Sequence, residues 1–219
     1  MTMLILTVAP EFALLSTDTF VTDMSGANRS GPALPFGHAS KIAAIPHLHM
    51  VTAGSGGWFT FLRWVNFLMG TRTAGDLLTA DRNAAKELPA MQKAAGEPGE
   101  AIIVTAGWSE AHGRAIGAVY HSLSGFASQL LTEPGHTTMP EVNPGGTDYL
   151  DLAARWSPAA MGEETEAFHV ALAKNFYESY EWGRLRPGVG IGGQLITARI
   201  DRDGIAVRRT YDFPPLRGR

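Results

Sequence analysis

Two spacings of hydrophobic residues alternate along this chain. Short runs with a period near two and many β-branched residues predict strands. The first such stretch, Thr2–Leu15, predicts two strands that meet at a turn around Pro10, a residue that cannot donate to a ladder hydrogen bond. Further strands are predicted over Lys41–Ala53, Ala101–Gly107, Ala115–Tyr120, Phe126–Leu131, Gly192–Ile200 and Ile205–Tyr211.

The spacing changes to a helical period in two places. After the glycine-rich turn Ala53–Gly57, apolar residues at helical intervals predict a helix over Trp58–Met69 and a second over Gly75–Ala95. Two more helices are predicted later, over Tyr149–Trp156 and over Thr165–Trp182. The segments Ser25–Ser40 and Glu133–Gly146 are rich in turn-forming residues and are predicted to be irregular.

The predicted order is therefore strands, two helices, strands, two helices and strands. Hairpins dominate among the strands, so the sheets are expected to be mostly antiparallel. Two stacked sheets with helices on both outer faces would bury all the apolar stripes, which makes the expected class α+β with an αββα arrangement. No linker interrupts the pattern, and one domain over residues 1–219 is expected.

Composition removes several functional classes. The chain is 45% hydrophobic, with a formal charge of −3 and no cysteine. That charge gives no reason to expect nucleic acid or an anionic membrane as a partner, and the absence of cysteine excludes disulfides and thiolate metal sites. No basic segment precedes the first apolar run and no run is long enough to span a bilayer, so a cytoplasmic protein without membrane partners is expected.

Residue types near the start of the chain suggest a chemical site. Removal of Met1 would give Thr2 a free α-amine, with an ordinary pKa of about 7.7–8.0, beside its own hydroxyl. Asp18 follows sixteen positions later, at the far end of the predicted hairpin, and Lys41 begins the next strand. A lysine held by an aspartate would favour the alkoxide, and Gly54 could offer its N–H to an oxyanion. These residue types are common, so on their own they leave a purely structural reading open.

The same residues resemble the start of a proteasome β-type subunit, a member of the N-terminal nucleophile hydrolases. The resemblance is carried by Thr2, by Leu14–Thr19 with Asp18 at the family's sixteen-residue distance, by Lys41–Ile42 and by Ala53–Gly54. It implies that Thr2 is the nucleophile and base, that Asp18 and Lys41 support it, and that Gly54 is the oxyanion donor. It also implies a four-layer αββα sandwich and a threonine hydrolase that cleaves peptide or other amide bonds without a cofactor or metal.

Other positions depart from the family pattern. The family's Gly-Ser-Gly falls near Pro134–His136 without its serine, and its late Asp-x-x-Ser is replaced by Gly188 and Ile191. Those family groups normally hydrogen-bond the N-terminal amine. The alternative is therefore a catalytically degenerate copy with a structural role in a larger assembly.

Two further features bear on partners. Aromatic residues of the first helix (Trp58, Phe59 and Trp64) exceed what one helix face can bury, which predicts a homo-oligomer, with a ring as one form. His47 and His49 sit two apart on a predicted strand and could suit a metal. No third ligand is evident in the sequence, so hydrogen-bonded or exposed histidines are the favoured interpretation.

Overall fold

The computed structural model describes residues 2–23, 34–71, 76–97, 99–139, 163–181 and 190–215. In this part of the chain, the strands are β1 (Leu4–Val8), β2 (Phe12–Asp18), β3 (Phe20–Asp23), β4 (Leu34–His38), β5 (Ile42–Ile45), β6 (Met50–Gly56), β7 (Ala101–Ser109), β8 (Arg114–His121), β9 (Ser128–Leu131), β10 (Gly135–Met139), β11 (Gln194–Asp201) and β12 (Gly204–Asp212). The helices are α1 (Trp58–Gly70), α2 (Leu77–Ala95) and α3 (Glu163–Glu181).

Two five-stranded sheets are built from hairpins. The first sheet has the order β10-β1-β2-β11-β12 and the second has the order β5-β6-β7-β8-β9, with every neighbouring pair antiparallel. β3 and β4 form a separate antiparallel pair. The protein is thus mixed α and β with antiparallel sheets, as the hairpin pattern of the sequence predicts.

The sheets pack face to face. Apolar residues that alternate along β1, β2 and β11 meet those of β6, β7 and β8 in one buried cluster, which includes Leu6, Leu15 and Val104. The other face of the second sheet packs against α1 and α2 through residues such as Trp64 and Leu88. The other face of the first sheet packs against α3 through Phe168, Leu172 and Phe176.

Most predicted elements are present, and three predictions on strands and turns were wrong. The segment read as an irregular loop over Ser25–Ser40 contains β4, and the one over Glu133–Gly146 contains β10. The predicted turn Ala53–Gly57 is mostly strand, because β6 continues to Gly56. Pro89 lies inside α2, which continues past it to Ala95.

Some predictions fall outside the described residues or concern membranes. The helix predicted over 149–156 and the position of Gly188 lie outside the described ranges. Among the helices that are described, none combines the length and apolar character needed to cross a bilayer.

Candidate active site

The first hairpin brings Asp18 beside the start of the chain. β1 and β2 pair with Leu4 opposite Thr17, and the turn between them is closed by a hydrogen bond of 2.8 Å from the Ala9 N–H to the Phe12 carbonyl. The same register continued by one residue places Met3 opposite Asp18. The Met3 N–H donates to Asp18 Oδ1 at 3.1 Å, so the spacing of the two residues in sequence becomes a direct contact.

Asp18 is fully buried and is surrounded by donors. Besides Met3, the Phe20 N–H donates to Oδ2 at 3.1 Å and the Gly192 N–H approaches the same oxygen at 3.4 Å. Burial raises the pKa of the Asp18 carboxyl, while the Lys41 ammonium and the backbone donors act to lower it. A buried carboxylate needs such partners to remain charged.

Lys41 lies directly before β5 and is only 3% exposed. Its Nζ donates to Asp18 Oδ1 at 3.2 Å and to the carbonyl oxygen of Phe20. Burial lowers the pKa of Lys41, and the Asp18 carboxylate opposes that change. The position of these two residues at the ends of consecutive predicted strands predicts that Lys41 lies within salt-bridge reach of Asp18, and this contact is confirmed.

Thr2 is buried, and its backbone is held by Ser55. The Thr2 nitrogen donates to Ser55 Oγ at 2.8 Å, and the Ser55 hydroxyl donates back to the Thr2 carbonyl oxygen at 3.1 Å. Within the described residues, the Thr2 hydroxyl has no hydrogen bond to Lys41 or to any other group. Thr2 and the Asp18–Lys41 pair are therefore joined through the backbone of Met3.

The sequence does not point to Ser55, because the glycines of Ala53–Gly57 predict a turn, whereas β6 continues as a strand to Gly56. On a strand, alternate residues share a face, so Ser55 points to the same side as Ala53, which lies in the core between the sheets. A strand that continues through the glycines places the Ser55 hydroxyl on the face of β6 that meets Thr2. The alternation of apolar and polar residues that would predict this strand is weak here, because the residues of the segment are small.

Gly54 occupies the opposite face of β6. Its N–H donates to the Lys41 carbonyl oxygen at 3.4 Å, a long hydrogen bond that leaves the donor only weakly engaged. A Cβ atom added at this position would lie 2.7 Å from the Phe61 ring of α1, so close packing by itself requires glycine here. The proposed role of Gly54 as an oxyanion donor stays a prediction.

Three of the residues compared with the family's amine-binding segments, Gly135, His136 and Ile191, lie in the described ranges. Gly135 and His136 belong to β10, where His136 pairs with Thr7 of β1. The Ile191 side chain is fully buried in the core under α3, while the adjacent Gly192 N–H reaches Asp18. Ser55 is the hydroxyl that contacts the Thr2 nitrogen in the described part of the chain.

The two histidines considered as metal ligands do not lie on a strand. His47 is in a 3₁₀ turn and its Nε2 lies 3.1 Å from the Leu68 carbonyl oxygen. His49 follows with a left-handed backbone, φ 48°. No group of three or more His, Asp or Glu side chains in the described ranges is placed to hold a metal ion.

Comparison of the chain with models of known protein families gives no match, and comparison with curated proteins gives none either. Function is therefore inferred from the geometry of this site.

Proposed function

We propose that this protein is an N-terminal threonine hydrolase that cleaves peptide or other amide bonds after Met1 has been removed. The observation that carries the proposal is the buried Asp18–Lys41 pair, 3.2 Å apart, whose carboxylate binds the backbone of the residue next to Thr2. A buried ion pair is a costly arrangement, and perturbed ionisable groups of this kind concentrate at functional sites.

The proposed reaction uses two groups of Thr2, the α-amine and the side-chain hydroxyl. The α-amine accepts the proton of the Thr2 hydroxyl as the oxygen attacks the amide carbonyl. The C–N bond of the tetrahedral adduct then breaks, the leaving amine takes that proton, and an ester to Thr2 remains. Water, deprotonated by the Thr2 α-amine, attacks the ester. The carboxylic acid leaves, and the proton returns to the Thr2 oxygen to restore the hydroxyl.

The surrounding groups would stabilise the negative charge that develops on oxygen atoms during the reaction. The Lys41 cation, held in place by Asp18, lowers the energy of developing negative charge near the Thr2 oxygen. The Gly54 N–H would donate to the oxyanion on turning from the Lys41 carbonyl oxygen, a change helped by the length of that hydrogen bond. No cofactor or metal has a part in this scheme.

The proposal extends to the architecture. The face-to-face sheets, with α1 and α2 on one outer side and α3 on the other, support a four-layer αββα sandwich of the N-terminal nucleophile type. We also propose that the protein forms a homo-oligomer, because α1 leaves four apolar side chains exposed that a second copy could cover (Trp58, Phe59, Leu62 and Met69).

A structural subunit is the second candidate. It is favoured by the Gly54 N–H, which already has a backbone acceptor, and by the Thr2 hydroxyl, which has no hydrogen bond to Lys41 within the described residues. An inactive copy of the fold would keep the Asp18–Lys41 pair only as packing.

Turnover of amide substrates separates the two candidates. Protein shown by intact mass to lack Met1 is incubated with a panel of peptidyl amides that release a fluorescent amine. The hydrolase is expected to release amine, with activity lost in Thr2→Ala and partly kept in Thr2→Ser, which retains a hydroxyl. Equal release by wild type and Thr2→Ala, or none by either, would favour the structural subunit.

A further inference from the structure

The Thr2 nitrogen has a side-chain partner that neither the resemblance nor the composition points to. Ser55 Oγ lies 2.8 Å from this nitrogen, and its own hydrogen is directed at the Thr2 carbonyl oxygen at 3.1 Å. Ser55 is 5% exposed and Thr2 is 7% exposed, so little water competes for either hydrogen bond. The two contacts clamp both ends of the Thr2 backbone to β6.

We infer that Ser55 is a positioning residue that orients the Thr2 α-amine as the general base, an inference that rests on the proposed hydrolase function. While Met1 is attached, the Thr2 nitrogen is a peptide N–H. After its removal, the same nitrogen is a neutral amine with two hydrogens and one lone pair, and it can rotate about the N–Cα bond. A hydrogen bond from one N–H to Ser55 Oγ stops that rotation and leaves the lone pair free to face the Thr2 hydroxyl.

The hydroxyl of Ser55 is oriented so that it can accept a hydrogen bond from the Thr2 amine. Its single hydrogen is engaged by the Thr2 carbonyl oxygen, so toward the nitrogen it offers only lone pairs. It therefore accepts from the amine and does not occupy the lone pair that must take the proton. A serine on a strand is also held more firmly than one in a loop, since β6 pairs with both β5 and β7.

This contact predicts an effect on the amine itself. A protonated amine donates a stronger hydrogen bond to Ser55 Oγ than a neutral amine does, so the contact raises the pKa of the Thr2 amine. Loss of the hydroxyl lowers that pKa, by about 0.5 to 1 pH unit. A purely structural role for Ser55 would reduce the amount of folded protein and leave the amine pKa unchanged.

The test uses Met1-free protein and two readouts. The first is the pH dependence with which trace acetic anhydride labels the Thr2 amine, measured by mass spectrometry of the N-terminal peptide. The second is the rate at which a β-lactone acylates the Thr2 hydroxyl. The variants are Ser55→Ala and the matched pair Ser55→Thr and Ser55→Val, which have nearly the same shape with and without a hydroxyl. Thr52→Ala is the control, because it removes another buried hydroxyl from β6, one bonded to the Val104 carbonyl oxygen.

The expected result is that Ser55→Ala and Ser55→Val lower the amine pKa and slow acylation on the order of 10- to 100-fold, with recovery in Ser55→Thr. The control should match wild type in both readouts. Unchanged labelling and acylation in Ser55→Ala and Ser55→Val would overturn the inference while leaving the hydrolase proposal intact. So would slower acylation with an unshifted pKa. Wild type that forms no β-lactone adduct would contradict the hydrolase proposal and, with it, the role given to Ser55. If Ser55→Ala does not fold, the comparison of Ser55→Thr with Ser55→Val tests the inference in its place.

Discussion

Lys41 Nζ lies 3.2 Å from Asp18 Oδ1, and the same carboxylate oxygen accepts the N–H of Met3 at 3.1 Å. One oxygen atom therefore links a buried cation to the residue that follows Thr2. Because both side chains are almost completely buried, salt in the solvent screens their attraction only weakly. The first hairpin places Asp18 beside Met3, and the hydrogen bond from Lys41 to Asp18 brings the lysine charge to the same part of the chain as Thr2.

Replacing Lys41 by Met is predicted to destabilise the fold by about 3–5 kcal/mol at neutral pH, because it leaves the Asp18 carboxylate buried without its cation. Loss of the cation also raises the pKa of Asp18 above its value in wild type. Asp18 of the variant then takes up a proton at higher pH, and the difference in stability from wild type narrows as the pH falls. Urea unfolding of both proteins at pH 7 and pH 5 measures this. A difference that stays constant or widens toward low pH would contradict the account.

Burial lowers the pKa of Lys41, and this has a kinetic consequence. If the cation is needed for reaction, acylation of Thr2 should decline on the alkaline side at a pH below 10.5, the ordinary value for lysine. The measurement is the rate of β-lactone acylation between pH 6 and pH 11, with Thr2→Ala as the blank. Lys41→Met should show a low rate without that decline. A wild-type rate that continues to rise through pH 10.5 would argue against a role for the cation.

His169 is predicted to control stability in mild acid. It lies on α3 and is fully buried, and its ring nitrogens contact Thr7 Oγ1 of β1 at 2.8 Å and Ser16 Oγ of β2 at 2.7 Å. Burial, with a smaller effect of His136, lowers the pKa of His169 to about 3 from 6.5. The unfolded chain therefore binds a proton first, and stability falls as the pH drops below 6.5 toward 3. Between pH 7 and pH 5 this one residue removes about 2 kcal/mol.

His169→Gln, which cannot titrate, should lose about 2 kcal/mol less than wild type over that interval, whatever its stability at pH 7. Urea unfolding at several pH values gives the slopes. His112→Gln is the control, because His112 is exposed on the hairpin between β7 and β8. Parallel slopes for wild type and His169→Gln would show that His169 is not the group responsible.

The exposed apolar side chains of α1 predict self-association. Phe59 is 59% exposed and Met69 is 55% exposed. The prediction that Trp64 also belongs to this surface is wrong, because its side chain is fully buried within the chain. Phe59→Lys should lower the association constant measured by light scattering. Leu123→Lys is the matched control, since Leu123 is 78% exposed but lies outside α1. Wild type that remains a monomer at micromolar concentration would reject the prediction.

The sequence predicted the parts of the fold that have a strong local pattern. The β1–β2 hairpin and its contact at Asp18 follow from two apolar runs around Pro10, and α1 follows from apolar residues at helical spacing. β4 was missed because Pro35 and Gly37 are typical of loops, although a two-stranded ribbon has edges that tolerate proline. β10 was missed because its polar residues form a strand only by pairing with β1, a long-range contact that composition does not reveal.

The same limit applied at the candidate site. Asp18 and Lys41 were identifiable because charged residues at strand ends stand out in an apolar sequence. Ser55 was not, since it lies between two glycines and its importance depends on the distant Thr2 backbone. Glycines that are required by close packing, as Gly54 is by Phe61, look the same in a sequence as glycines in a turn.

Thr2 as the nucleophile is tested most directly by the mass of the adduct that a threonine-directed β-lactone forms on Met1-free protein. We expect one adduct per chain, located on the Thr2 hydroxyl by fragmentation of the N-terminal peptide, and no adduct in folded Thr2→Ala. Met1-free wild-type protein that remains unmodified, or an adduct that persists at another residue in Thr2→Ala, would contradict the assignment of Thr2 as the nucleophile.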